Sequence, residues 1–206
     1  MPQSSEVATL LVASTNKKKL GELKTLTADL GLQLVCLADL PSFREVPEDG
    51  QTFCENAALK AAGYADQTGY LTLAEDSGLS CDSLGGEPGV YSARFAGPGK
   101  NDYDNNAKVL RLLEGLPEEK RGAHFTSAVA IAVPGRVLEI VEGKVFGRIH
   151  DRMIGENGFG YDAIFYYPPY GVTFGQLTPE MKHRVSHRAQ ALEQAKVVLR
   201  RHLQSR

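Results

Sequence analysis

The stretch VATLLVASTNKKKLGELKTLTADLGLQLVCL, residues 7–37, decides the fold. Residues 7–13 form a continuous apolar run ending in small side chains, the pattern of a strand buried on both faces. A polar stretch from Ser14 to Lys19 follows, and then Leu20, Leu23, Leu26 and Leu30 recur at helical spacing until Gly31 stops them. LQLVCL, residues 32–37, reads as a second strand. Strand, helix and strand at this spacing make a β-α-β unit with a right-handed crossover, and hence the start of a parallel sheet.

Working outward, residues 38–51 are rich in Pro, Asp and Glu and read as a loop. Thr52-Phe53-Cys54-Glu55 matches a capping box, with an Ala-rich helix behind it to Asp66. LTLAEDSGL, residues 71–79, predicts a strand running into a turn at Ser77-Gly78, and Gly85 to Gly99 predicts a long ordered loop. A helix is expected over 103–114, a hairpin from 124–133 and 136–147 around Pro134-Gly135, a strand at 162–167 and a last helix from His187 to Leu203. This order predicts an α/β fold, a mixed β-sheet flanked by helices on both faces. A chain of 206 residues suits one domain, residues 1–206, or two lobes sharing a sheet.

Charge and composition narrow the function. With 23 basic and 25 acidic side chains the net charge is -2, so neither a nucleic-acid coat nor an anionic-membrane binder is expected, and any affinity for a phosphorylated partner must be local. No apolar stretch approaches the ~18 residues of a membrane span, and MPQSSEVATLLVAS lacks the basic leader of a secretory signal. Cys36, Cys54 and Cys81 are scattered with no C-x-x-C pair, which argues against a disulfide framework and against structural zinc. A cytoplasmic enzyme or binding domain is the expectation.

Four segments carry candidate chemistry. Ser14-Thr15-Asn16-Lys17-Lys18-Lys19 sits at a strand-to-helix junction, where free backbone N–H groups and the positive end of the helix dipole favour phosphate. A solvated start capped by Ser14 or Thr15 would also fit. Lysines there oppose the dipole by roughly 0.3–1 kcal/mol each, however, and an anion would offset them. Glu75 and Asp76, adjacent at the end of a buried strand, would repel each other unless a cation or solvent shares them. A hard ion such as Mg²⁺ takes one or two carboxylates plus phosphate oxygens, and the turn expected at Ser77-Gly78 would let the two side chains converge. The alternative is an Asx turn at a solvated strand end. Glu55 is accounted for by its capping box, and Glu48 by a solvated loop.

Gly158-Phe159-Gly160-Tyr161-Asp162-Ala163 satisfies G-x-G-x-x-[GA], but a strand follows where the dinucleotide fingerprint requires a helix. Two glycines framing one aromatic suit a loop that lays a ring on a flat ligand, or a phenylalanine under a tight turn. Ser186-His187-Arg188, preceded by Lys182, opens the last helix with Ser186 as N-cap and two cations in the unpaired first turn. No G-x-S-x-G elbow is present, so a Ser/His/Asp hydrolase is not supported.

Taken together, S-x-N-x-x-K (Ser14, Asn16, Lys19), T-F-x-E-N-A-x-x-K-A (Thr52 to Ala61), A-E-D-S-G-L (Ala74 to Leu79), G-G-x-P-G-x-Y-S-A-R (Gly85 to Arg94), G-F-G-Y-D (Gly158 to Asp162) and S-H-R (Ser186 to Arg188) resemble the inosine/xanthosine triphosphate pyrophosphatases. The resemblance implies hydrolysis of ITP, dITP and XTP to monophosphate and pyrophosphate on an elongated mixed sheet, in two lobes with a central substrate cleft. It further implies Mg²⁺ and a homodimer. On this basis Ser14, Thr15, Asn16, Lys17, Lys18 and Lys19 would bind the triphosphate, assisted by Lys60. Glu75, Asp76 and Glu48 would hold the metal, with Asp76 also taking the proton of the attacking water. Ser77 would contact the nucleotide, Phe159 would stack on the purine, and Gly160, Tyr161, Asp162, Lys182, His187 and Arg188 would surround its edge. Ala163 stands where bacterial members usually carry proline.

Overall fold

The computed structural model describes residues 8–15, 17–99 and 101–205, with the side chains of all but 17, 18, 19 and 22. Its elements are β1 (Thr9–Val12), α1 (Lys17–Leu26), β2 (Gln33–Cys36), α2 (Phe53–Thr68), β3 (Leu71–Cys81), α3 (Asp102–Leu112), β4 (Gly122–Val133), β5 (Arg136–Ile149), β6 (Phe165–Tyr167), β7 (Val172–Thr173), α4 (Pro179–Val185) and α5 (His187–Gln204). Seven strands form one sheet in the order β2-β1-β3-β4-β5-β6-β7. The β-α-β expectation is borne out: β1 lies between β2 and β3, parallel to both, with Val12 opposite Cys36 and Leu73. β6 pairs antiparallel with β5 and β7, so the sheet is mixed. β4 and β5 are neighbours joined only by Pro134-Gly135, a connection that an antiparallel pair alone permits.

The residues pack into two compact units. Of the described residues, the first comprises those up to Asp76, Ala128–Glu142 and those from Ala191 on; the second comprises those within Ser77–Ser127 and Gly143–Gln190. Strand alternation explains how the first unit is layered. Leu10 and Val12 point to one face, where Leu20 and Leu23 of α1 and Leu192, Ala195 and Leu199 of α5 cover them. Leu11 points to the other face, against Tyr64 of α2 together with Leu37, Phe43 and Val46. Helices therefore lie on both faces of this sheet region, as the sequence order predicts. The core of the second unit is aromatic. Phe125, Phe165 and Phe174 meet at centroid distances of 4.6 and 4.9 Å, packed against Leu79, Val109, Leu113, Tyr161 and Ile164.

Two expectations are corrected. β3 does not turn at Ser77-Gly78 but continues as strand to Cys81. The glycine has another reason: a Cβ at Gly78 would strike Ser92 Oγ and lie 2.9 Å from Gly89 O. The strand expected at 162–167 forms only over Phe165–Tyr167, because Tyr161 and Asp162 belong to the preceding turn.

Candidate active site

The first group of site residues is built at the carboxyl end of β1, beside the middle of β3, which runs on past it. The two strands are parallel and adjacent, Ala13 N–H still donates to Leu73 O at 2.8 Å, and β3 alone continues beyond that point, to Cys81. Ser14 and Thr15 leave the carboxyl end of β1, the kind of position at which open α/β sheets take ligands, at the level where the middle of β3 carries Glu75 and Asp76. Lys17, Lys18 and Lys19 open α1, their side chains lying outside the described residues, as does Asn16 altogether.

α2 supplies the partners of Asp76. Thr52 caps it as expected, its hydroxyl accepting Glu55 N–H at 3.1 Å, but the Glu55 carboxylate accepts Gln51 N–H at 2.6 Å where the capping box would have it accept that of Thr52, so Glu55 ties the preceding loop to the helix start. That start fixes the phase of Asn56 and Lys60, which stand one turn apart on one face. Asn56 Nδ2 donates to Asp76 Oδ2 at 3.0 Å, and its Oδ1 accepts Gly50 N–H at 2.8 Å. Gly50 is required by proximity, since a Cβ there would lie 2.7 Å from Glu55 Cβ. Lys60 Nζ donates to Glu75 O at 2.8 Å and to Glu48 Oε2 at 3.0 Å, and stands 3.8 Å from Asp76 Oδ1. One ammonium thus draws together the loop carboxylate Glu48 and the strand carboxylate Asp76. Because β3 stays extended, no turn brings Glu75 and Asp76 together, and it is the Glu75 carbonyl that faces Lys60.

Among the described residues no group of three or more His, Cys, Asp or Glu stands close enough to hold a metal ion. Two carboxylates and a carbonyl around one cation are nevertheless the hard oxygen donors that suit Mg²⁺ shared with phosphate, so the residues fit that ion.

The second group lies in the second unit. Asp162 is buried and organises the loop before it, accepting Phe159 N–H at 2.8 Å and pairing closely with Lys182. Burial pushes its carboxyl above the usual range, opposed by the Lys182 ammonium. Gly158 is tied to this arrangement, because its φ is +81° and a Cβ there would collide with the Asp162 carboxylate. Phe159 stands 70% exposed at the loop tip, with Lys182 Nζ 4.5 Å from its ring centroid. Tyr161 differs from the expected role: its ring is core, and its hydroxyl donates to Ser92 O at 2.8 Å, so only its backbone can meet a ligand. Ser92 also accepts Leu79 N–H on its Oγ at 2.9 Å, tying the end of β3 to the 89–92 turn.

Ser186 caps α5 as expected, accepting Ala189 N–H at 3.1 Å. His187 stacks on Phe125 at 4.8 Å, and burial draws the Arg188 guanidinium down to about 10. Sequence reasoning assigned Asn56 no role; its position one turn before Lys60 was the available signal.

Residues 10–198 match the profile of the Ham1 family, a span that contains every site residue named above. The chain belongs to the Ham1 family. Among its relatives is a dITP/XTP pyrophosphatase of Desulforamulus reducens, 49% identical over 192 residues that cover 93% of this chain and 96% of that protein. Another, from Geobacillus kaustophilus, is 46% identical over 89% of this chain and 90% of the relative. Among solved structures, a HAM1 protein from Coxiella burnetii superposes with a TM-score of 0.88 at 39% identity, covering 94% of this chain and 98% of that one. The resemblance drawn from the six motifs is therefore borne out, and so is the mixed α/β sheet of this Ham1 chain.

Proposed function

We propose that this Ham1 protein hydrolyses non-canonical purine nucleoside triphosphates (ITP, dITP and XTP) to monophosphate and pyrophosphate, clearing them from the nucleotide pool. The observation that carries this reading is the Glu48–Lys60–Asp76 cluster beside the carboxyl end of β1. It is supported by the dITP/XTP pyrophosphatases among the relatives.

Ser14 to Lys19 dock the triphosphate through backbone N–H groups and lysine charge, and Lys60 and Ser77 add contacts to it. Asp76 takes the proton from the attacking water, and Asn56, donating to one carboxylate oxygen, holds the other in a fixed direction. Mg²⁺ is the expected cofactor, and when bound it neutralises charge on the phosphate oxygens. Asp76 and Glu48 would hold it, with Glu75 adding negative charge from the neighbouring strand position.

Phe159 stacks on the purine, and Gly160 and the Tyr161 backbone border its edge. Asp162 and Lys182 set the platform. His187 or Arg188 donates to the 6-oxo group of hypoxanthine or xanthine, so that adenine, with its amino donor, meets donor against donor. We read residues 1–206 as one pyrophosphatase domain, working as a cytoplasmic homodimer. No described helix is long and apolar enough to cross a membrane.

The test is a panel of nucleoside triphosphates assayed for monophosphate and pyrophosphate, with and without Mg²⁺. ITP, dITP and XTP should be cleaved at the α–β bond only when the ion is present. Release of orthophosphate instead, or equal turnover of ATP, would overturn the reading.

A further inference from the structure

The loop that carries Phe159 is gripped from outside by α3. Gly160 N–H donates to Asp102 Oδ2 at 2.6 Å, and Gly160 O accepts from Asn106 Nδ2 at 2.7 Å. Asp102 and Asn106 are four residues apart, so they stack on one face of the helix and hold both polar backbone groups of a single residue. Asn106 Nδ2 also donates to Asp102 O at 2.6 Å, so both amide hydrogens are directed at carbonyl oxygens and the orientation of the side chain is set.

Packing does not explain these two residues. The apolar face of α3 is supplied by Val109 and Leu110, with Leu113 beyond its end. Asn106 is 3% exposed, and its Oδ1 finds no partner among the described residues, a penalty that leucine would avoid if filling space were the only demand. Asp102, in the first turn of the helix, would be content in solvent, yet it binds a backbone N–H 58 positions away. What the grip secures is the residue next to Phe159, whose ring stands mostly in water on a turn where Gly160 has a φ of +60°. With Phe159 N–H held by Asp162 and both Gly160 groups held by α3, the backbone on either side of the ring is fixed.

We propose that Asp102 and Asn106 are positioning residues for base recognition, holding Gly160 so that Phe159 is a preformed platform for a planar purine. The inference rests on the reading of Phe159 as the stacking residue. Fixing the platform beforehand removes an ordering cost from binding, and it acts on the base and not on the phosphates.

Asp102→Ala is therefore expected to raise KM for ITP about tenfold while kcat stays within about twofold. The inhibition constant of inorganic tripolyphosphate, which has no base, should not change. Asp102→Asn, whose amide oxygen still accepts the Gly160 N–H, should recover most of the lost affinity. Asn106→Asp, which sets a carboxylate against two carbonyls, should match or exceed the effect of Asp102→Ala. The proposal is overturned by an unchanged KM in Asp102→Ala, by ITP and tripolyphosphate weakening together, or by Asp102→Asn performing no better than alanine. Should Asp102→Ala fail to fold, Asp102→Ser is read the same way. Phe159→Ala tests the underlying reading separately, since an unchanged KM for ITP there removes the platform whatever α3 does.

Discussion

Asn56 donates to Asp76 across the gap between α2 and β3 at 3.0 Å, which makes the carboxylate on the strand a group with a set orientation. A general base must present one oxygen to water in a fixed direction, and a bond to its other oxygen achieves this. Asp76→Asn should keep nucleotide affinity within a few-fold and lower kcat by about 10²–10⁴. Single-turnover kinetics beside equilibrium ITP binding checks it, and near-normal turnover would remove the base. Asn56→Ala should lower kcat less, by roughly tenfold, with KM little changed.

Arg188 is half-buried at the start of α5, and that burial lowers its guanidinium pKa to about 10. A desolvated donor facing an oxo group discriminates by leaving the wrong base unpaired, at about 1–3 kcal/mol. Arg188→Gln should therefore shrink the preference of kcat/KM for ITP over ATP by about 5- to 150-fold. A ratio that does not move would assign base choice to other residues.

Leu11 is completely buried under α2, against Tyr64 and Leu37. Leu11→Ala should cost about 2–5 kcal/mol through lost burial and the cavity left behind. Urea unfolding of the variant measures it, and a loss below about 1 kcal/mol would mean that this layer repacks.

Burial raises the Cys81 thiol from an ordinary 9.0 to about 12. Its folded pKa lies above its unfolded one, so its contribution to stability is complete below about pH 9 and is lost as pH rises toward 12. Two outcomes follow. Cys81 should resist alkylation at pH 8 until the protein unfolds, and Cys81→Ala should lessen the fall in stability between pH 9 and 11. Rapid native-state labelling of Cys81, read by peptide mass, would contradict the first.

The parts of the fold legible in the sequence were those with several turns or alternations to read. Leu20, Leu23 and Leu26 announced α1, Thr52 and Glu55 marked the start of α2, and Ser186 marked that of α5. β7, with two residues, and α4, with seven, are too short to show a period. Gly78 misled for a different reason: glycine reads as a turn, whereas here it makes room for Ser92 inside a continuous strand. In the site, Asp76, Glu48 and Lys60 were legible as residue types, and the structure brings them together. The amides of Asn56 and Asn106 were not, because an amide's purpose lies in which backbone or carboxylate it happens to meet.

Ser92 offers its hydroxyl to Leu79, three residues past Asp76 on the same strand, and its carbonyl to Tyr161, two residues past Phe159. A bulkier side chain at 92 would push on both neighbours at once. Genetic revertants of such a lesion should then cluster at Tyr161 and around the 89–92 turn, and be rare among the leucines beneath α1 and α5.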